Sequence, residues 1–308
     1  MFGLRIAKGE RERCDPDKTR WRIVAIRLTP RLPYFGSVSL RTIRRLTPPK
    51  AAAPEVAKVR SEIRRRKRLG RMIGLFALLV LALAVWMGVN GQSFVCVQPQ
   101  PCLPGGFGGH VLALEFARTT ADIQAIAGDV GHPNRKVMRR QLYIDFGFIA
   151  SYLVLYLLLA ALLERTTRDL PLLTVLAIVG ALCTAGFDVL ENVRALKVLA
   201  TPPSNLDDAT VANILDASVI KWTFSFVTIA LLSFAFPYGQ RATNTLRALF
   251  ILTAVAGMLG LAVHRLMWVS SVPLLLGLLF LTFDGLSRPL RLIPASCGIR
   301  PRPGRVSG

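Results

Sequence analysis

Six side chains in this chain have the types and spacing for polar chemistry inside an otherwise apolar protein: Asp145, Asp188, Glu191, Asn192, Lys221 and His264. Each lies at or near the end of an uncharged run long enough to be a membrane helix. Carboxylates and an amide beside an amine offer a place for a small molecule, a lipid headgroup or an ion. Ionisable groups at membrane depth are costly and mark functional positions by default. Two other readings of the same residues stand beside this one. Lys221 paired with Asp188 or Glu191 is a structural ion pair that only holds helices together. Carboxylates with His264 are also the ligand types of a metal-dependent intramembrane hydrolase, in which a metal activates water. His110 and His132 would then approach from the neighbouring loop. No HExxH, GxSxG or paired-histidine motif supports the hydrolase, so no metal site and no cofactor is expected and the balance is against an enzyme.

The spacing predicts that these groups converge. Ala177, Ala181 and Ala185 recur every four residues, and Asp188 and Asn192 continue their side of the helix. Small residues let helices approach closely in lipid, so the face that packs also carries the acids. Lys221, Ser225 and Thr228 form a polar stripe on a second helix. Asp145, Tyr152 and Tyr156 form one on a third, and Ala256, Gly260 and His264 repeat the pattern on a fourth.

The elements that position them follow from composition. A mean hydropathy of +0.46 combined with a net charge of +21 is unusual for a soluble protein and fits membrane spans with basic flanks. Apolar runs predict six spans, at about 72–89, 143–163, 171–192, 217–237, 248–264 and 272–287. Pro171 suits the first turn of the third. The fold class is therefore an all-α polytopic transmembrane bundle, 72–287, with a basic N-terminal arm. The arm, residues 1–71, carries 21 Lys or Arg against 6 Asp or Glu, with little sustained periodicity, and is expected to be poorly ordered. It also admits a shorter reading frame starting near Met72. The run 72–89 reads as a retained anchor, because the small-residue pattern of a signal-peptidase site (Ala82-Leu83-Ala84) falls inside it. A second basic segment, 288–308, forms the tail. No zinc, helix-turn-helix or ribonucleoprotein motif accompanies the charge, so the expected partners are the bilayer and its anionic headgroups, with no specific nucleic acid.

Six spans put both termini on one side. With that side cytoplasmic, inner segments hold 30 Lys or Arg and outer segments 8, the positive-inside bias of a bacterial inner membrane protein. The segment 91–140 is then an outer loop. There Cys96 and Cys102 flank a Pro-bent stretch and suit a disulfide outside a reducing compartment. Thr119–Asp122 is expected to cap a short helix with Ile123, Ile126 and Val130 on one side. Arg135, Lys136, Arg139 and Arg140 resist the bias, and are expected to meet loop acids or outer-leaflet phosphates. Arg194–Asp216 reads as a polar loop, and Asp284 as a capping or snorkelling residue at the inner surface.

The segments Leu114-Glu115-Phe116-Ala117-Arg118-Thr119, Gln141-Leu142-Tyr143-Ile144-Asp145-Phe146-Gly147-Phe148, Phe187-Asp188-Val189-Leu190-Glu191-Asn192 and Lys221-Trp222 resemble a group of uncharacterised bacterial multi-pass membrane proteins. The resemblance covers roughly Val111 to Leu232. It implies a membrane fold with an Asp-x-x-Glu-Asn helix end, and no activity.

Overall fold

Periodic apolar residues bounded by prolines and capping side chains produce helices, and a computed structural model of the chain contains eight of them with no strand among the described residues. The structure describes residues 53–91, 93–95, 97, 109–166, 170–236, 240–263 and 265–287. The arm 1–52, the tail 288–308, Cys96, Cys102 and His264 lie outside them. The helices are α1 (Ala53–Gly91), α2 (His110–Glu115), α3 (Thr120–Ala127), α4 (Pro133–Thr166), α5 (Pro171–Ala200), α6 (Asp208–Leu232), α7 (Arg241–Ala262) and α8 (Arg265–Ser287). Six are long and apolar enough to cross a membrane. Pro171 stands in the first turn of α5, as its missing N–H permits. Thr119 and Asp122 form a reciprocal capping box on α3.

The described residues from Val59 onward form one compact unit. Helices adjacent in sequence pack side by side, α4 on α5, α5 on α6, α6 on α7 and α7 on α8. Small residues set these approaches. A Cβ on Gly180 would lie 2.3 Å from the Thr228 hydroxyl oxygen, so no side chain fits between α5 and α6 there. A Cβ on Gly285 of α8 would lie 2.6 Å from the Cα of Gly74 in α1. The outward faces carry Val175, Val179 and Leu182 on α5, Leu252, Val255 and Leu259 on α7, and Leu276, Leu279 and Phe283 on α8. Apolar surface covering whole helices is what a bilayer solvates and water does not.

Several helices outrun their apolar segments. The 34-residue α4 is about 51 Å long and the 30-residue α5 about 45 Å, against about 30 Å of hydrocarbon. The expected loop Arg194–Asp216 is therefore mostly helix, and the connection shrinks to Thr201–Asp207, which includes the 3₁₀ turn Pro203–Asn205. Likewise α4 starts at Pro133, so the Arg135–Arg140 run is helical, and α1 starts at Ala53 within the expected arm. For α4, α5 and α6 the cause is a second apolar core, which gives their extensions something to bury. Ala195, Val198 and Leu199 of α5, Val211 and Ile214 of α6, and Met138 and Leu142 of α4 pack with Leu114, Ile123 and Ile126 of the short helices. Buried Asn134 ties the loop to this core: its amide accepts from the Val95 N–H at 3.0 Å and donates to the Val95 carbonyl at 2.7 Å. Val130 does not join it. The helix α3 stops at Ala127, Gly128 turns with φ of 73°, and Val130 is 67% exposed.

Candidate polar site

Between the two cores lies a polar cluster. One turn of α5 carries Asp188, Glu191 and Asn192 at spacings that face one direction. Buried with them is the alanine stripe Ala177, Ala181 and Ala185, which brings α6 close enough for a lysine to reach across. From α6 come Ser218, Lys221, Trp222 and Ser225, and from α4 come Asp145, Tyr152 and Tyr156. The short helix α2 adds Glu115.

Lys221 is the centre. Its ammonium lies 2.9 Å from Glu191 Oε2 and 3.0 Å from Oε1. It lies 3.2 Å from Glu115 Oε2 and 3.2 Å from Asp188 Oδ1. The residue is only 5% exposed and Glu191 only 2%. Further donors hold the acids in place. The Tyr152 hydroxyl donates to Asp188 Oδ2 at 2.8 Å, Ser218 to Glu191 Oε2 at 2.7 Å, and the Trp222 indole to Glu115 Oε2 at 2.9 Å. Tyr156 and Ser225 share a longer bond of 3.4 Å. Asn192 donates to Asp145 Oδ2 at 2.7 Å. Asp145 itself is half-buried and makes no ion pair among the described residues.

Of the expected site residues, the structure thus joins Asp145, Asp188, Glu191, Asn192 and Lys221; His264 lies outside the described residues. The helices α5 and α6 run on past the cluster into the second core. Glu115 was not among the expected site residues. It is carried on a six-residue helix far from Lys221 in sequence, and no local spacing joins the two. Ser218 is one turn before Lys221 on α6, where the polar stripe extended backwards points to it.

The other polar groups are engaged elsewhere. His110 stacks on Phe94 with ring centroids 4.1 Å apart, and burial holds its imidazole below the ordinary histidine range. The His132 ring accepts the Asn134 N–H at 3.3 Å. Asp207 accepts the Thr210 N–H at the start of α6 at 2.7 Å, and its bonds from Thr210 hold its carboxyl below the usual range. Asp284 does not snorkel. It is buried, and its Oδ2 has no hydrogen-bond partner among the described residues.

Arg135 is the second buried cation near this end, 6% exposed. The acids expected to meet it are not its hydrogen-bond partners. Its Nε donates to the Gly128 carbonyl at 2.9 Å, and its Nη1 to the carbonyls of Leu199 and Thr201 at 3.1 Å each. These last two belong to the C-terminal end of α5, where carbonyls lack helical partners and the dipole favours a cation.

Chemically, the cluster is a ring of carboxylates around an amine. Lys221 occupies the point where the acids converge, and among the described residues no three His, Cys, Asp or Glu side chains are placed to share a metal ion. No family model matches the chain, and comparison with curated proteins and with solved structures also gives no match.

Proposed function

We propose that this multi-pass membrane protein binds protons or a small cation at the Glu115–Asp145–Asp188–Glu191–Lys221 cluster, and that it does so without catalysing a reaction. The observation that carries this reading is the imbalance of charge: three carboxylates share one buried ammonium and a fourth, Asp145, adjoins them without an ion pair. Fully ionised, the group holds three negative charges in excess, and uncompensated charge in a buried site is expensive. Asp145 is the open acceptor, half-buried and bonded only through one oxygen to Asn192. A guest cation or proton at Asp145 relieves the excess without displacing Lys221.

The test uses purified full-length protein in detergent. Sodium, potassium and methylammonium chlorides are compared at constant ionic strength. One of them is expected to raise the unfolding temperature of the wild type and leave Asp145→Asn unmoved. If protons fill the site instead, an infrared carboxylic-acid band disappears in Asp145→Asn. A wild type with neither response overturns the proposal.

A second reading rests on the saturation around Lys221. Each acid that Lys221 touches also receives another donor, which favours an ion-pair lock that clamps α2 to the bundle. The two readings separate on Asp145, which the lock does not need.

The basic arm and tail support a cytoplasmic location for both termini in a bacterial inner membrane, with anionic headgroups at the flanks and the 91–140 segment outside. Cysteines introduced at the exposed positions Ser93 and Ser204 are then labelled from outside, and one at the exposed Thr245 from inside after permeabilisation. Reversed labelling discards this threading.

A further inference from the structure

The first turns of α4 line an open cleft of about 790 Å³. Its basic residues are Arg135, Lys136, Arg139 and Arg140, and Tyr143 and Ile144 continue it toward the apolar part of the helix. Lys136, Arg139 and Arg140 are exposed. Arg135 is buried, and while its Nε and Nη1 are bonded to carbonyls, its Nη2 has no hydrogen-bond partner among the described residues. A buried guanidinium nitrogen without an acceptor is expensive. An anion in the cleft would supply one.

We infer that this cleft binds the phosphate of an anionic phospholipid, with Arg135 as its fixed donor and Lys136, Arg139 and Arg140 as its outer cations. The guanidinium fork suits phosphate oxygens, and charge-assisted bonds of this kind are the strong ones. Position selects a lipid over a soluble phosphate. The apolar run of α4 begins just after this segment, so the cleft stands at headgroup level. Tyr143 is 61% exposed, as an aromatic at the membrane interface commonly is. Ile144 beside it offers an apolar wall for the start of an acyl chain. The site is separate from the carboxylate cluster, whose sign suits cations.

The experiment measures thermal unfolding of delipidated full-length protein in detergent, titrated with short-chain phosphatidylglycerol, short-chain phosphatidylcholine, glycerol 3-phosphate and inorganic phosphate. Phosphatidylglycerol is expected to stabilise the wild type saturably. In Lys136→Gln/Arg139→Gln its half-saturating concentration rises at least tenfold. Arg64→Gln/Arg65→Gln, which removes the same charge from exposed positions on α1, is expected to bind as the wild type does. Arg135 is kept in both, so its role at the end of α5 is preserved. The proposal is overturned if the wild type shows no saturable response, or if both double variants weaken equally. It is also overturned if phosphatidylcholine matches phosphatidylglycerol, or if soluble phosphates saturate the site as well as the lipid.

Discussion

Two buried cations near one end of the bundle meet opposite surroundings. Lys221 is ringed by carboxylates, three of them within 3.2 Å. Arg135 hydrogen-bonds only to carbonyls, with the Asp129 carboxylate near its charge but not bonded to it, and one of its nitrogens has no hydrogen-bond partner among the described residues. The side chains explain the difference. An ammonium is a compact charge that several oxygens can surround, so Lys221 is enclosed by formal charge of opposite sign. A guanidinium is a planar fork, and two of its edges can serve a helix end while a third waits for an anion. One site has an excess of negative charge and the other an excess of positive. The two proposed sites therefore suit guests of opposite sign although both use residues of α4 and α5.

The sharpest break in this contrast is removal of Lys221. Lys221→Met leaves Glu115, Asp188 and Glu191 buried without their cation and is expected to destabilise the protein by about 3–5 kcal/mol. Detergent unfolding with a denaturant series measures the loss. The charge swap Glu191→Lys with Lys221→Glu is expected to recover much of the stability lost in either of its single variants if Glu191 is the specific partner. No recovery with any of the three acids would mean that the cluster contains no specific pair.

A smaller effect is expected at the other cation. Arg135→Lys keeps the charge near the end of α5 but cannot bond to Gly128, Leu199 and Thr201 together. The cost is expected to be about 2 kcal/mol, from lost charge-assisted bonds. Hydrogen exchange should speed up at the last turn of α5 while the amides around Asp188 keep their protection. A loss spread equally over both regions would erase the distinction between the two sites.

The buried face of α5 was legible in sequence because small residues and acids share its helical period, and Ala177, Ala181, Ala185, Asp188 and Asn192 are all buried. The same holds for Lys221, Ser225 and Thr228. On α7 the pattern was less informative: Gly260 is buried, but Ala256 is only half-buried while Thr253 and Gly257 carry the packing. The second core was not legible. Hydropathy falls where Arg194, Lys197, Asp208 and Asp216 enter, and these polar residues mask Val198, Leu199, Val211 and Ile214 between them. Whether such a segment stays helical depends on what α2 and α3 bring to it, which is tertiary information. Glu115 was hidden for the same reason, since only the docking of α2 carries it to Lys221.

The contact between Gly74 and Gly285 bears on how the protein is made. α1 is made before the rest of the bundle, yet at Gly74 its backbone meets that of α8, the last of the described helices. Until then the inward side of α1, with Ile73, Ala77 and Val80, lacks the neighbour that Gly74 meets. The membrane holds α1 in place meanwhile, so insertion and final docking are separated in time by the synthesis of nearly the whole bundle.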